Sequence, residues 1–120
     1  MPTRSPDELL PLRPAYFHIL LTLLEEPHHG YAVKRIVEER TDGRIRLAAG
    51  SLYEGIQRLE RNGLVAECAA PRDVESAPTK RWRFYRITPF GRKVAAAEAE
   101  RMRRMVEAAA AGDLIEDVSS

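Results

Sequence analysis

Between Ala49 and Val65 the chain reads AGSLYEGIQRLERNGLV, and its polar side chains are of the kinds that read a duplex. Gln57 carries an amide that can pair with adenine through two hydrogen bonds, and Arg58 a guanidinium that can do the same with guanine. Ser51 and Tyr53 offer hydroxyls to phosphate oxygens, contacts that fix register without reading sequence. Arg61 adds a second guanidinium. These groups act together only if one element aims them. Leu52, Ile56 and Leu59 fall at i, i+4 and i+7, so on a helix they share a buried face. That burial turns Ser51, Glu54, Gln57, Arg58 and Arg61 outward. A helix fits the major groove of B-DNA, with its N-terminal residues nearest the bases. The competing use of Arg58 is an i, i+4 pair with Glu54.

Other chemistries lack their residues. His18, His28 and His29 have no acidic or cysteine partners at ligand spacing, so no metal site is expected. Cys68 is the sole cysteine; it lacks a neighbouring base, reads as strand packing, and fits a reducing cytosol. There is no glycine-rich phosphate loop and no carboxylate pair placed for acid–base work. Neither an enzyme nor a cofactor is expected. The N-terminal MPTRSPDELLPLRP does not resemble a signal peptide. The most apolar run, FHILLTLL, is far shorter than the ~20 residues a bilayer span needs. The expectation is a soluble cytoplasmic protein with no membrane partner.

The formal net charge is +1, but its distribution is uneven. Residues 28–93 hold fourteen basic and eight acidic side chains, whereas residues 1–27 and 94–120 are both net acidic. A basic middle is either an electrostatic footprint for a polyanion or a solvated surface that is rich in arginine; charge alone does not choose between them.

Periodicity supplies the scaffold. Residues 1–13, with prolines at Pro2, Pro6 and Pro11, read as a poorly ordered or extended arm. A helix is predicted from Pro14 through Tyr16–Glu26, ended by Pro27. His28-His29-Gly30 reads as a turn, Tyr31–Arg40 as a second helix with Lys34 outward, and Ile45–Leu47 as a very short strand. The third helix is the opening stretch. Ser51 and Glu54 have capping-box spacing and Gly63 supplies a left-handed stop. Gly55 inside this helix costs about 1 kcal/mol against alanine; either a DNA backbone approaching closely or a crowded helix crossing would explain it. Leu64–Ala69 and Lys80–Ile87 read as the strands of a hairpin with a long tip. Tyr85 and Ile87 face the core, Trp82 packs across the hairpin, and Lys80, Arg81 and Arg83 lie near the tip. Thr88 caps a last helix that starts at Pro89 and ends at Gly112. Its Val94, Met102, Met105, Val106 and Ala109 form an apolar stripe that a second copy would cover.

The expected class is mainly α (α+β): a winged helix-turn-helix over residues 14–88, a dimerisation helix over 89–112, and a flexible tail over 113–120. HGYAVKRIVEER (His28–Arg40), GSLYEGIQRLERNGLV (Gly50–Val65) and RFYRITPFGRK (Arg83–Lys93) resemble the PadR family of transcriptional regulators. The resemblance covers roughly residues 14–110. It implies a winged-helix repressor, dimeric through its C-terminal helix, bound to pseudo-palindromic double-stranded DNA and in some members released by a small, often aromatic effector. The positions that match the family's motifs are Tyr31, Ser51, Tyr53 and Arg58, with the wing bases Lys80 and Arg81. Two positions depart from the pattern. Ala48-Ala49 stands where the family often has serine and proline, which weakens the helix cap, and Gly55 replaces a larger residue. The alternative is a winged-helix module that binds a protein or a ligand and has no specific DNA target.

Overall fold

The computed structural model describes residues 5–70 and 83–116. A 3-10 turn at Pro6–Leu9 precedes α1 (Pro14–Thr22), β1 (His28–His29), α2 (Gly30–Arg40), α3 (Ala49–Arg61), β2 (Val65–Cys68), β3 (Phe84–Ile87) and α4 (Pro89–Ala111). The strands form one antiparallel sheet in the order β1-β3-β2, with Val65 opposite Ile87 and His29 opposite Phe84. Ile19, Leu20, Leu23, Val33, Val37, Leu52, Ile56, Leu59, Leu64 and Val94 are almost fully buried and close one core. The apolar positions chosen by helical spacing on α3 are therefore the ones that hold it.

Four local features depart from the sequence reading. First, α1 stops at Thr22, not Glu26. Residue 26 precedes Pro27, whose ring disfavours a helical residue before it. The chain tightens instead, with Leu24 N–H bonding Leu21 O at 3.3 Å, and the Leu24 carbonyl accepts from the Arg92 guanidinium at 2.6 Å. Second, His28-His29 is not a turn but the third strand of the sheet. Third, Ile45–Leu47 is not a strand. The Ile45 N–H is satisfied by Thr41 Oγ1 at 3.1 Å, and Leu47 drops into the core. Fourth, the arm is structured from Ser5 onward. Leu9, Leu10 and Leu12 pack on the core, and Leu12 N–H donates to Glu98 Oε2 at 2.7 Å.

Glu98 is fully buried and also accepts from Arg101 Nε. Burial pushes its carboxyl pKa up, but the hydrogen bonds from Arg101 and Leu12, with the Arg101 charge, outweigh that and leave it below the ordinary value. A buried carboxylate of this kind needs both partners.

The turns are set by backbone chemistry. After α3, Gly63 adopts φ +76°, Gly63 N–H bonds Glu60 O at 2.9 Å, and Leu64 N–H bonds Leu59 O at 2.8 Å. This pair of bonds is the Schellman closure that a left-handed residue permits. Leu64 O then accepts the Thr88 N–H at 3.0 Å, while Thr88 Oγ1 donates to Gly63 O at 2.6 Å and accepts the Gly91 N–H at 2.9 Å. Thr88 thus caps α4 and ties it to the end of α3. Gly91 is pressed on the same joint: a Cβ there would lie 2.1 Å from Leu64 O.

Glycine to alanine ordinarily stabilises a helix interior by about 1 kcal/mol. Gly91→Ala should do the opposite and cost about 1–3 kcal/mol, the range for forcing atoms into filled space. Urea unfolding measures this, and a gain in midpoint would show that the joint yields freely.

Candidate nucleic-acid interface

At 3.6 residues per turn, burial of Leu52, Gly55, Ile56 and Leu59 leaves Gly50, Glu54, Gln57 and Arg61 along the outer line of α3. Tyr53 flanks that line on one side and Ser51 and Arg58 on the other. All seven are exposed. The expected capping box is absent: Ala48 is the N-cap residue, and it offers no side-chain hydrogen bond. The helix begins before Ser51, which leaves the Ser51 hydroxyl on the surface of its first turn. Gly55 lies under Tyr16, where a Cβ would come 3.1 Å from the ring. The crossing of α1 over α3, not an approaching backbone, accounts for this glycine.

On the Tyr53 side, α2, α3 and β3 meet around a cleft of about 260 Å³. Tyr31, Tyr53, Gln57 and Arg83 line it, together with His29, Gly30, Glu60 and Tyr85. Tyr31 is 62% exposed and Tyr53 48%. The arrangement gives the HGY tripeptide a physical reading. His29 Nδ1 accepts the Ala32 N–H at 3.1 Å and so caps α2. The His29 ring lies edge-on to Phe84, with centroids 5.4 Å apart. Gly30 has no Cβ, and one placed there would touch the Tyr53 ring at 3.3 Å. Tyr53 therefore lies against the start of α2, beside Tyr31. His29, Gly30 and Glu60 were not singled out by sequence reasoning. The signal for His29 was available, because its ring precedes a helix by the one position at which a side-chain acceptor caps it.

The remaining predicted contacts fall elsewhere. Lys34 is on α2, bound to Glu38 Oε1 at 2.9 Å, in a surface depression shared with Arg46, Leu47 and Ala48 just ahead of α3. Arg58 is on the opposite flank from the cleft, in a groove with Arg13, Tyr16 and Asn62. Neither Arg58 nor Arg61 is in an ion pair among the described residues, so the expected competitor Glu54 does not hold Arg58. Arg83 lies 3.9 Å from Glu67 with both side chains exposed, a pairing of little strength in water. Lys80, Arg81 and Trp82 lie outside the described residues.

Of the predicted dimer contacts, Met105 and Val106 are exposed, and Met102 and Ala109 are half-buried. Val94 is a correction: it has no accessible surface in the single chain, where α1 and the Pro6–Leu9 turn already pack against α4. It has nothing to offer a partner. Leu114, 80% exposed, and Ile115 extend the apolar surface past the helix.

Among the described residues no helix is long and apolar enough to cross a membrane, and no group of three or more potential ligands could hold a metal ion. Three packed helices, a small sheet and an outward polar third helix define a winged helix-turn-helix protein of the DNA-binding class. Residues 19–97 match the Transcriptional regulator PadR-like family, and the chain belongs to it. Its family is described as one of transcriptional regulators. A transcriptional regulator from Clostridium thermocellum has a similar structure, with a TM-score of 0.64 at 27% identity over 78% of this chain and 86% of that one. RosR from H. salinarum gives a TM-score of 0.62 at 27% identity over 88% and 96%. An uncharacterized 37.1 kDa protein in transposon TN4556 of Streptomyces fradiae is 36% identical over 87 residues, or 72% of this chain. The chain spans 22% of that curated relative's length.

The His29 cap makes a prediction about pH. Burial first, then the charges of His28 and Arg35, lower its pKa. The neutral ring is the form that accepts the Ala32 N–H, so folding favours deprotonation. The cap's contribution is complete above the unfolded value of about 6.5 and is lost as pH falls from there through the lower folded pKa. His18 has the same sign, from burial and then Arg40. Melting temperature should therefore drop on acidification below about pH 6.5, and His29→Asn, a cap that does not titrate, should remove part of that drop. An identical pH profile in the variant would mean that the cap carries no such linkage.

Proposed function

We propose that this regulator reads a pseudo-palindromic operator as a homodimer and acts in the cytoplasm as a repressor. The observation that carries the reading is the outer face of α3, where Gln57, Arg58 and Arg61 are exposed, the two arginines without ion-pair partners among the described residues, and Tyr31, Tyr53 and Arg83 gather along one flank. Base readout by Gln57 and Arg58 supplies specificity. The hydroxyls of Tyr31, Ser51 and Tyr53, with the charges of Lys34, Arg61, Lys80, Arg81 and Arg83, supply phosphate contacts. Lys34 is already paired with Glu38 and must exchange that partner for a phosphate.

The dimer reading is supported by the second half of α4. Met102, Met105, Val106 and Ala109 follow helical spacing on a segment where the other described residues leave Met105 and Val106 exposed and Met102 and Ala109 half-buried. A two-fold pair would set two copies of α3 on half-sites about one DNA turn, or a multiple of it, apart. Release by a small effector belongs to the same reading. The cleft of about 190 Å³ between the arm, α1 and α3 borders Arg58, so a ligand there would act directly on that side chain.

The test is competition binding of a duplex from the region upstream of the protein's own gene against random duplex. Tighter binding of the first supports the reading, and equal binding at every salt concentration sinks it. Arg58→Ala should lower the preference for operator over random duplex by about 1–3 kcal/mol. An equal loss on both duplexes would assign Arg58 to the phosphates instead. Met105→Lys should shift the sedimentation of the free protein from dimer to monomer; no shift would place the two-fold contact elsewhere.

A further inference from the structure

We infer that Glu54 is a specificity-determining residue, whose carboxylate selects cytosine at one position of each half-site. The inference rests on the proposed reading of α3 as the helix in the groove.

Glu54 is exposed on the outer line of α3, between Gly50 one turn before it and Gln57 and Arg58 one turn after it. It is in no ion pair or hydrogen bond among the described residues, although Arg58 stands at the i+4 position where helical pairs form. Gly50 adds no side chain to shield it, and the space beside Gly50 is open for 4 Å around a hypothetical Cβ. A carboxylate that is neither paired nor screened would be pressed toward a polyanion when α3 enters a groove. That is unfavourable unless it meets a donor.

The chemistry of the groove narrows the donor to one base. An ionised carboxylate only accepts hydrogen bonds. The major-groove edges of guanine (N7, O6) and thymine (O4) present acceptors, so both repel it; cytosine presents the N4 amino donor. Adenine also has a donor, N6, but N7 lies beside it as an acceptor and faces the second carboxylate oxygen. Cytosine has no acceptor at that place. Glu54 and Gln57 are three residues apart, a rise of about 4.5 Å, so the two side chains address neighbouring base pairs. Gln57 has donor and acceptor together and suits adenine; Glu54 suits cytosine.

The test is selection of duplexes from a randomised pool by the full chain and by two variants at this exposed position, Glu54→Ala and Glu54→Gln. Melting curves would establish that all three are folded. The wild type should enrich half-sites with one cytosine position. Glu54→Ala should lose that preference, on the order of tenfold, keep the others, and bind random duplex more tightly because a negative charge has gone. Glu54→Gln should move the same position from cytosine toward adenine. If the wild type enriches a defined site and both variants enrich the same one, the inference fails while the DNA-reading function stands. If the wild type enriches no sequence, the proposed function fails and this inference falls with it.

Discussion

The Leu64 carbonyl is the point on which the rest of the architecture turns. It lies one residue beyond the left-handed Gly63 that closes α3, at the start of β2, and it accepts the backbone N–H of Thr88 between β3 and α4. Gly91 packs against the same oxygen because it lacks a Cβ. Four elements thus share one contact within a few ångströms. The end of α3, both strands at the root of the wing and the beginning of α4 cannot be shifted independently. A winged-helix protein must hold its third helix at a fixed angle to its hairpin if both are to meet one duplex, and backbone atoms hold that angle here. Side-chain packing by Leu59, Leu64, Val65 and Ile87 then excludes water from around the joint.

The cleft shows a second economy of parts. His29 pairs with β3, caps α2 and lies edge-on to Phe84, all from one residue position. Gly30 follows because Tyr53 occupies the volume a side chain would take, and Tyr31 follows because the first turn of α2 faces outward beside it. The tripeptide is therefore a packing solution before it is a binding motif. It brings an α2 residue, an α3 residue and β3 into register, so that the Tyr31 and Tyr53 hydroxyls and the Arg83 guanidinium stand around one opening.

Helical spacing carried most of the fold. Leu52, Ile56 and Leu59 gave the buried face of α3, and Thr88-Pro89 marked the start of α4. The failures have one physical origin: they concern contacts between residues distant in sequence. A two-residue strand at His28-His29 has no period to detect and exists because β3 lies alongside it. The arm looked extended from its prolines, yet it is held by Glu98, eighty-six positions away from Leu12. Val94 fitted the apolar spacing of Met102, Met105, Val106 and Ala109, but the core ends partway along that helix, at Glu98. Gly55 fits a close DNA backbone and a crowded crossing equally well in sequence, and only the Tyr16 ring lying over it distinguishes them. For the site, residue type and helix face identified the polar groups, while the cleft that gathers Tyr31, Tyr53 and Arg83 required three elements to be placed together. Lys80 and Arg81 lie outside the described residues, and their role rests on sequence alone.

The boundary along α4 has a consequence for how the two ends of the molecule are connected. Gly91, Val94, Ala95 and Glu98 are buried, Arg101 and Met102 are intermediate, and Arg103 through Ala108 are exposed. Glu98 marks the last turn that the chain covers by itself, and it does so by holding the arm through Leu12 and the following turn through Arg101. Beyond it, Arg103 pairs within the helix with Glu100 and Glu107, so those charges need no outside partner, while Met105 and Val106 between them are left exposed by the other described residues. One continuous helix therefore begins at the joint that fixes α3 and ends in an apolar surface that the other described residues leave exposed. The contacts of Thr88 and Gly91 with the end of α3 and the exposed Met105 and Val106 therefore belong to one secondary-structure element.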